Sequence, residues 1–180
     1  MSLQTSLRFP VESIDCVEAD RQLLRFLKDI HCDGTSQHAW TDPRLAWHHL
    51  PMSLSVMSRS GDYDVIIANS VPAVLWQAES TRTVEFYGQV SKQLAIDGIF
   101  CQALVVDDLG LEPVAILVRS LGRAFSSTAL LSVGSGRFLL LATNSPRTLK
   151  RDGLLHRLQA PHVRSILAES GLDWVSPLQL

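Results

Sequence analysis

The residues with the clearest chemical potential follow a short apolar run near the middle of the chain. Val65-Ile66-Ile67-Ala68 is typical of a strand buried on both faces, and Asn69 and Ser70 come directly after it. The loop that begins there carries an aromatic side chain, Trp76, and its next acidic residue is Glu79. The amide of Asn69 can donate and accept hydrogen bonds, but it cannot take up a proton at neutral pH. The pattern therefore predicts that any chemistry of this chain lies in the loop that begins at Asn69.

The elements around this loop predict where it lies. Apolar residues recur at helix spacing from Val84 to Leu94, Asp97-Gly98 is expected to end that helix, and Ile99-Phe100-Cys101 is typical of a second buried strand. Strand, loop, helix and strand form a βαβ unit, whose strands are parallel with a right-handed crossover. Ligands of open parallel sheets bind beyond the carboxyl ends of the strands. The loop after Asn69 is therefore the predicted site.

The rest of the chain continues the alternation of strands and helices. Strands are expected at 13–17, 45–50, 129–133 and 138–142, and helices after Asp20 as N-cap, after Pro51, at 110–125 and at 161–170. This order predicts an α/β fold of the class I methyltransferase (Rossmann-like) type. We expect a mostly parallel sheet, helices on both faces and a C-terminal antiparallel hairpin. That fold also has a first strand and a glycine-rich turn, which nothing before Ser13 can supply. We therefore expect the first strand to be missing, leaving unpaired backbone groups on its two neighbours.

Composition excludes several classes of protein. A net charge of -2 over 180 residues, without a basic patch, argues against binding to nucleic acid. No apolar run approaches the length of a membrane span. Three cysteines are an odd number, which favours free thiols in a reducing compartment, and we expect a cytoplasmic protein. No spacing of His and Cys fits a metal template.

Five short motifs at consistent separations carry a resemblance to a known family. They are Val17-Glu18-Ala19-Asp20, Asp42-Pro43-Arg44, Tyr63-Asp64-Val65-Ile66-Ile67, Ala78-Glu79-Ser80 and Glu85-Phe86-Tyr87. Together they resemble the spermidine synthases, over residues 9–144, with 145–180 expected as a helical tail of one domain that spans 1–180. The resemblance implies a methyltransferase-like fold. It also implies transfer of an aminopropyl group from decarboxylated S-adenosylmethionine to the polyamine precursor putrescine.

The resemblance also assigns roles to residues. Glu18, with Asp20 beside it, matches the acidic end of a strand that binds the ribose of the cofactor. Asn69 falls on the family's carboxylate, which holds the amine substrate and removes its proton. Ser70, Trp76 and Glu79 fall in the loop that would hold that amine.

Three departures from the family pattern all affect the ligand side. Asn69 is an amide in place of a carboxylate. Pro51 falls near the Asp that reads the adenine amino group, and proline has neither a side-chain acceptor nor a backbone donor. The glycine turn is missing. We therefore expect a degenerate or truncated domain that is inactive alone, and that is a homo-oligomer such as a dimer or part of a longer chain.

Two further interpretations remain open. The chain is an active polyamine aminopropyltransferase, or it transfers another group from S-adenosylmethionine. Either would bind decarboxylated S-adenosylmethionine or S-adenosylmethionine, although no cofactor is required by the inactive interpretation.

Overall fold

The computed structural model describes residues 3–30, 40–58, 61–69, 81–105, 111–132, 136–146 and 159–169. The helices of these ranges are α1 (Leu3–Leu7), α2 (Arg21–Ile30), α3 (Met52–Ser58), α4 (Val84–Gln93), α5 (Leu111–Ala124) and α6 (Pro161–Glu169). The strands are β1 (Ile14–Val17), β2 (Leu45–His48), β3 (Tyr63–Ala68), β4 (Leu94–Val105), β5 (Ser127–Ser132) and β6 (Arg137–Thr143). The predicted alternation is confirmed, with α1 in addition.

The described strands form two hydrogen-bonded sheets. One contains β1 and β2, which are parallel, and the other has the order β3-β4-β6-β5. In the second sheet β3 and β4 are parallel, whereas β6 pairs antiparallel with both β4 and β5. The C-terminal hairpin predicted from the sequence is therefore confirmed. Gly136 enters β6 with a φ of 66°, in the left-handed region that glycine adopts without strain.

The main core lies on one face of the four-stranded sheet. Phe100 is fully buried in β4. Its ring centroid lies 6.4 Å from that of Phe86, 6.0 Å from that of Tyr87 and 5.9 Å from that of Phe125. Leu104 lies on the same face of β4 and is also buried. Because Phe86 and Tyr87 of α4 and Phe100 of β4 all belong to this cluster, it packs the helix of the βαβ unit against the sheet, and the candidate loop lies within that unit.

The predicted end of the helix at Asp97-Gly98 is wrong. Helix α4 ends at Gln93, and β4 begins at once with Leu94 in an extended conformation. Tyr63 pairs with Leu94 but Val65 pairs with Ile99, so β4 contains an irregularity at this point. A Cβ on Gly98 would lie 2.7 Å from the carbonyl oxygen of Tyr63. The glycine is therefore needed for close approach of two strands and does not mark a helix end.

Candidate functional site

Asn69 is located where the sequence places it, immediately beyond the carboxyl end of β3. Ala68, the last residue of the strand, is buried beside Gln102 of β4, and Asn69 is exposed. An amide in this position can reach a ligand in solvent without unpacking the core. The other predicted loop residues, Ser70, Trp76 and Glu79, lie outside the described residues.

A buried hydrogen-bond network supports the far end of this loop. The hydroxyl of Tyr87 donates to Gln102 Oε1 at 2.7 Å, and Gln102 Nε2 donates to the carbonyl of Thr81 at 3.1 Å. Burial raises the pKa of Tyr87 to about 12, so the phenol stays protonated and remains a donor at neutral pH. The network fixes the backbone at Thr81, close to where β3 ends.

Gln102 is a positioning residue that the sequence reasoning missed. Its signal was a polar side chain at an alternate position between Phe100 and Leu104, which are both buried on the same face of β4. Such a residue needs a partner, because an unsatisfied buried amide costs about 1–3 kcal/mol. The partner, Tyr87, belongs to the Glu85-Phe86-Tyr87 motif, so two of the three residues in that motif serve the core.

The predicted cofactor-side residues lie at the carboxyl end of β1. Glu18 is half-buried, its N–H donates to the carbonyl of His48 at 3.0 Å, and its Oε1 accepts from the N–H of Asp20 at 2.9 Å. Asp20 Oδ1 accepts from the backbone of Gln22 at 2.8 Å and of Leu23 at 3.1 Å, which confirms it as the N-cap of α2. The roles of Glu18 and Asp20 in binding a cofactor stay predictions.

Pro51 lies between the end of β2 and the start of α3. Its carbonyl accepts from the N–H of Ser55 at 3.0 Å, so it forms part of the first turn, as predicted. It presents no side-chain acceptor toward the neighbouring end of β1.

A cavity of about 130 Å³ separates the two sheets. It is lined by β1, α3 and β3, and by Gln93 at the end of α4. Gln93 closes one side, because its Oε1 accepts from the N–H of Gly61 at 2.6 Å and its Nε2 donates to the carbonyl of Val56 at 3.1 Å. The cavity is thus lined by β1 and β3 and by the side chain of Gln93, whose amide oxygen and nitrogen both form hydrogen bonds.

One side-chain bridge spans this cavity. The hydroxyl of Tyr63 in β3 donates to Asp15 Oδ2 in β1 at 2.6 Å, and His48 Nε2 lies 2.6 Å from Asp15 Oδ1. The sequence reasoning singled out neither Asp15 nor Tyr63 for this role, because no local pattern pairs residues 48 positions apart. The bridge shows that β1 and β3 face each other although no backbone ladder joins them within the described chain.

Metal binding and thiol chemistry have little support among the described residues. No group of three or more His, Cys, Asp or Glu side chains in them could hold a metal ion. Cys16 and Cys101 are free thiols, and burial raises the pKa of both, which disfavours the reactive thiolate. Cys32 lies outside the described residues. None of the described helices combines the length and the apolar character that crossing a bilayer requires.

This chain is similar in sequence to a known protein family and in structure to several solved proteins. A family model described as the spermine/spermidine synthase domain matches residues 3–131. A spermidine synthase solved in complex with the transition state analogue AdoDATO has a TM-score of 0.67 and 20% identity, over 93% of this chain and 65% of that one. The spermidine synthase of Thermotoga maritima also has a TM-score of 0.67 and 20% identity, over 91% and 60% of the two chains. Human methyltransferase-like protein 13, solved in complex with SAH, has a TM-score of 0.71 and 22% identity, over 92% and 76%.

These similarities confirm the predicted methyltransferase-like fold. This chain spans 60 to 65% of the length of the two spermidine synthases. A search of curated protein sequences found no match.

Proposed function

This chain belongs to the spermine/spermidine synthase domain family, and from that premise we propose that it is a degenerate member that does not catalyse aminopropyl transfer by itself. The observation that carries the proposal is the exposed amide of Asn69 at the carboxyl end of β3. The resemblance puts a carboxylate there, whose task is to hold the amine and take its proton. An ammonium group has no lone pair for attack on the carbon beside a sulfonium, so a site without a base is impaired.

The cofactor side supports the same conclusion. Pro51 immediately precedes α3, near the position where the resemblance puts an acidic residue for the adenine amino group, and it cannot supply that hydrogen bond. One carboxylate oxygen of Glu18 is already engaged by the turn that precedes α2. Recovery of a base at Asn69 alone therefore leaves the nucleoside poorly held.

A direct assay tests this proposal. Purified chain is incubated with decarboxylated S-adenosylmethionine and putrescine, and formation of methylthioadenosine is measured for the parent and for Asn69→Asp. Asn69→Ala is the matched control, because it removes the amide without adding a base. We expect no turnover from any of the three proteins. Turnover by the parent would overturn the proposal, and turnover by Asn69→Asp alone would limit the defect to the missing base.

Ligand binding gives a second readout that does not depend on turnover. A ligand that binds only the folded state raises the melting temperature, because it stabilises that state by a free energy that grows with the logarithm of the ligand concentration above Kd. We expect millimolar methylthioadenosine to leave the melting temperature of the parent unchanged. A clear rise that is lost in Glu18→Gln would favour an intact nucleoside site.

The alternative is an active transferase, and the position of Glu18 favours it. Its carboxylate is half-buried at the end of β1, where an acidic side chain can accept hydrogen bonds from ribose hydroxyls. An active protein would use decarboxylated S-adenosylmethionine with a polyamine substrate, or S-adenosylmethionine with another acceptor. Binding of S-adenosylmethionine in the same thermal assay, without turnover of putrescine, separates the second case from the first.

A further inference from the structure

The cavity between the two sheets has the size of a binding site for a small molecule. Its volume is about 130 Å³, and an engineered cavity of about 150 Å³ in another protein binds benzene. The cavity is partly open to solvent, and Val65 on its wall is 54% exposed. A molecule of about six non-hydrogen atoms can therefore enter and fit without unfolding either sheet.

Much of the cavity wall is apolar. Six aliphatic side chains of the described residues supply it: Val17, Met52, Val56, Val65, Ile66 and Ile67. Transfer of a hydrocarbon group from water to such a wall is favourable, roughly in proportion to the apolar surface that is buried. The wall therefore favours a ligand with a compact hydrocarbon body.

Three polar residues on the wall already form hydrogen bonds within the protein. The hydroxyl of Tyr63 donates to Asp15, whose other carboxylate oxygen lies 2.6 Å from His48 Nε2. The amide oxygen and nitrogen of Gln93 are bonded to the backbone of Gly61 and of Val56. The carboxylate of Asp15 also disfavours an anionic ligand beside it. These residues give the cavity a polar side but do not require a ligand to satisfy them.

Ser55 differs from these three residues. It lines the cavity from α3 and is only 6% exposed. A helical serine often bonds to a carbonyl of the preceding turn, as Ser58 does when its hydroxyl donates to the carbonyl of Ser55 at 3.3 Å. The hydroxyl of Ser55 has no hydrogen-bond partner among the described residues. A buried hydroxyl without a partner costs free energy, so this group favours a ligand that supplies one.

We propose that the cavity binds a compact neutral alcohol of about six non-hydrogen atoms, whose hydrocarbon body packs against the apolar wall and whose hydroxyl hydrogen-bonds to Ser55 Oγ. Because the wall belongs to β1, α3 and β3, the bound molecule contacts both sheets. This inference does not depend on the proposed loss of transfer activity, since neither Glu18 nor Asn69 lines the cavity. An active and an inactive protein would bind the alcohol equally.

Amide NMR spectra of the whole chain test the proposal. The probe is cyclopentanol, which has a compact ring and a single hydroxyl. We expect saturable shifts of the amide signals of Val17, Ser55 and Ile67, with a dissociation constant in the millimolar range because so small a ligand has few contacts. The outer strand β5 is an internal control, because its amide signals should not shift.

A serine variant tests the hydrogen bond. Ser55→Ala should weaken the binding of cyclopentanol by about threefold to tenfold, the equivalent of one hydrogen bond. The same change should not weaken the binding of cyclopentane, which has no hydroxyl. Ser53→Ala is the matched control, because Ser53 is half-buried in the same helix but does not line the cavity.

A second pair of variants tests the location. Val65→Phe adds bulk to the cavity wall, and we expect it to weaken cyclopentanol and cyclopentane by about tenfold or more. Ile99 pairs with Val65 and is 40% exposed but does not line the cavity, so Ile99→Phe should bind both molecules as the parent does. An unchanged amide signal of the buried Leu140 shows that the core of each variant is folded.

Several results would overturn the proposal. They are the absence of saturable shifts at the cavity amides, equal shifts along β5, and affinity for cyclopentanol that neither Ser55→Ala nor Val65→Phe lowers. Cyclopentylammonium tests the remaining alternative, a cation held by Asp15. Tighter binding of this cation than of cyclopentanol would assign the cavity to the carboxylate and would contradict the preference for a neutral alcohol.

Discussion

The two sheets of this protein are stabilised by different kinds of interaction. The four-stranded sheet packs against α4 and α5 through a contiguous cluster of buried residues that runs from Val56 to Ala142. None of that cluster comes from β1, α2 or β2, where Leu24 is the one buried apolar side chain among the described residues. Asn69 therefore extends from a well-packed unit, whereas Glu18 extends from a unit whose described side chains include one buried apolar residue. We therefore expect the two sides of the candidate site to differ in local stability.

Polar contacts replace packing in the two-stranded half. Asp15 binds both Tyr63 and His48, and Asp42 forms a bidentate ion pair with Arg44 at 2.9 and 2.8 Å. Exposed or half-exposed polar contacts contribute less to stability than a filled core, and they depend on pH. The comparison predicts that the β1–β2 half opens at lower free energy than the β3–β6 half.

The largest expected effect comes from a matched pair of core truncations. Leu104→Ala removes a fully buried side chain from β4, and we expect the free energy of unfolding to fall by about 2–5 kcal/mol. Leu24→Ala removes the same atoms from α2, where the surroundings hold fewer buried neighbours, so we expect a smaller loss. Urea denaturation measures both.

Hydrogen exchange refines this comparison. Leu24→Ala should raise exchange in α2 and leave the amide of Phe100 protected, whereas Leu104→Ala should raise exchange at both places. Equal losses of global stability from the two variants would contradict the division into a strong and a weak half.

The sequence predicts the elements well because their signals are local. Apolar runs mark β3 and β4, and Asp20 caps the helix that its position predicted. The end of α4 was wrong because Gly98 is required by the backbone of Tyr63, a neighbour distant in sequence. No rule based on glycine as a helix stop includes that contact.

The candidate site also combines features that local sequence predicts with features that depend on residues distant in sequence. The positions of Glu18 and Asn69 follow from the ends of two strands, which the sequence marks directly. The residues that support the site do not follow, because the partner of Tyr63 is 48 residues away and that of Tyr87 is 15 residues away. Polar residues inside apolar strands indicate that partners exist, but only the fold identifies them.

A second prediction compares two phenols, one in each setting. Tyr87→Phe removes the donor to Gln102 inside the core, and we expect a cost of about 1–3 kcal/mol because a buried acceptor is left without that donor. Tyr63→Phe removes the donor to Asp15 beside the cavity between the two sheets, where water can replace it, and we expect a cost of about 0.5–1.5 kcal/mol. Urea denaturation of both variants measures the difference.

The local consequence distinguishes the two variants further. Tyr63→Phe should increase exchange in β1 and leave β4 unchanged, since it removes a hydrogen bond between the two sheets. A larger loss from Tyr63→Phe than from Tyr87→Phe would mean that the bridge, and not the core, limits the stability of the whole chain.

The smallest expected effect concerns acid pH. The side-chain hydrogen bond from Arg44, helped by its backbone N–H, lowers the pKa of Asp42 from 3.8 to about 2. A carboxyl whose pKa is lower in the folded state stabilises the protein above its unfolded pKa, and this stabilisation is lost as the pH falls toward the folded pKa. Arg44 also donates to the carbonyl of Leu7 at 3.1 Å and of Val11 at 3.4 Å, so protonation of Asp42 should loosen the N-terminal segment.

Asp42→Asn tests this effect, because an amide has no charge to lose. Between about pH 4 and pH 2 we expect the stability of the parent to fall more steeply than that of Asp42→Asn, with a constant difference between them above pH 5. Glu12→Gln is the control, since it neutralises another carboxylate in the same half of the chain. Urea midpoints at each pH measure the slopes. Parallel slopes for the parent and Asp42→Asn would mean that the Asp42–Arg44 pair contributes no pH-dependent stability to this half.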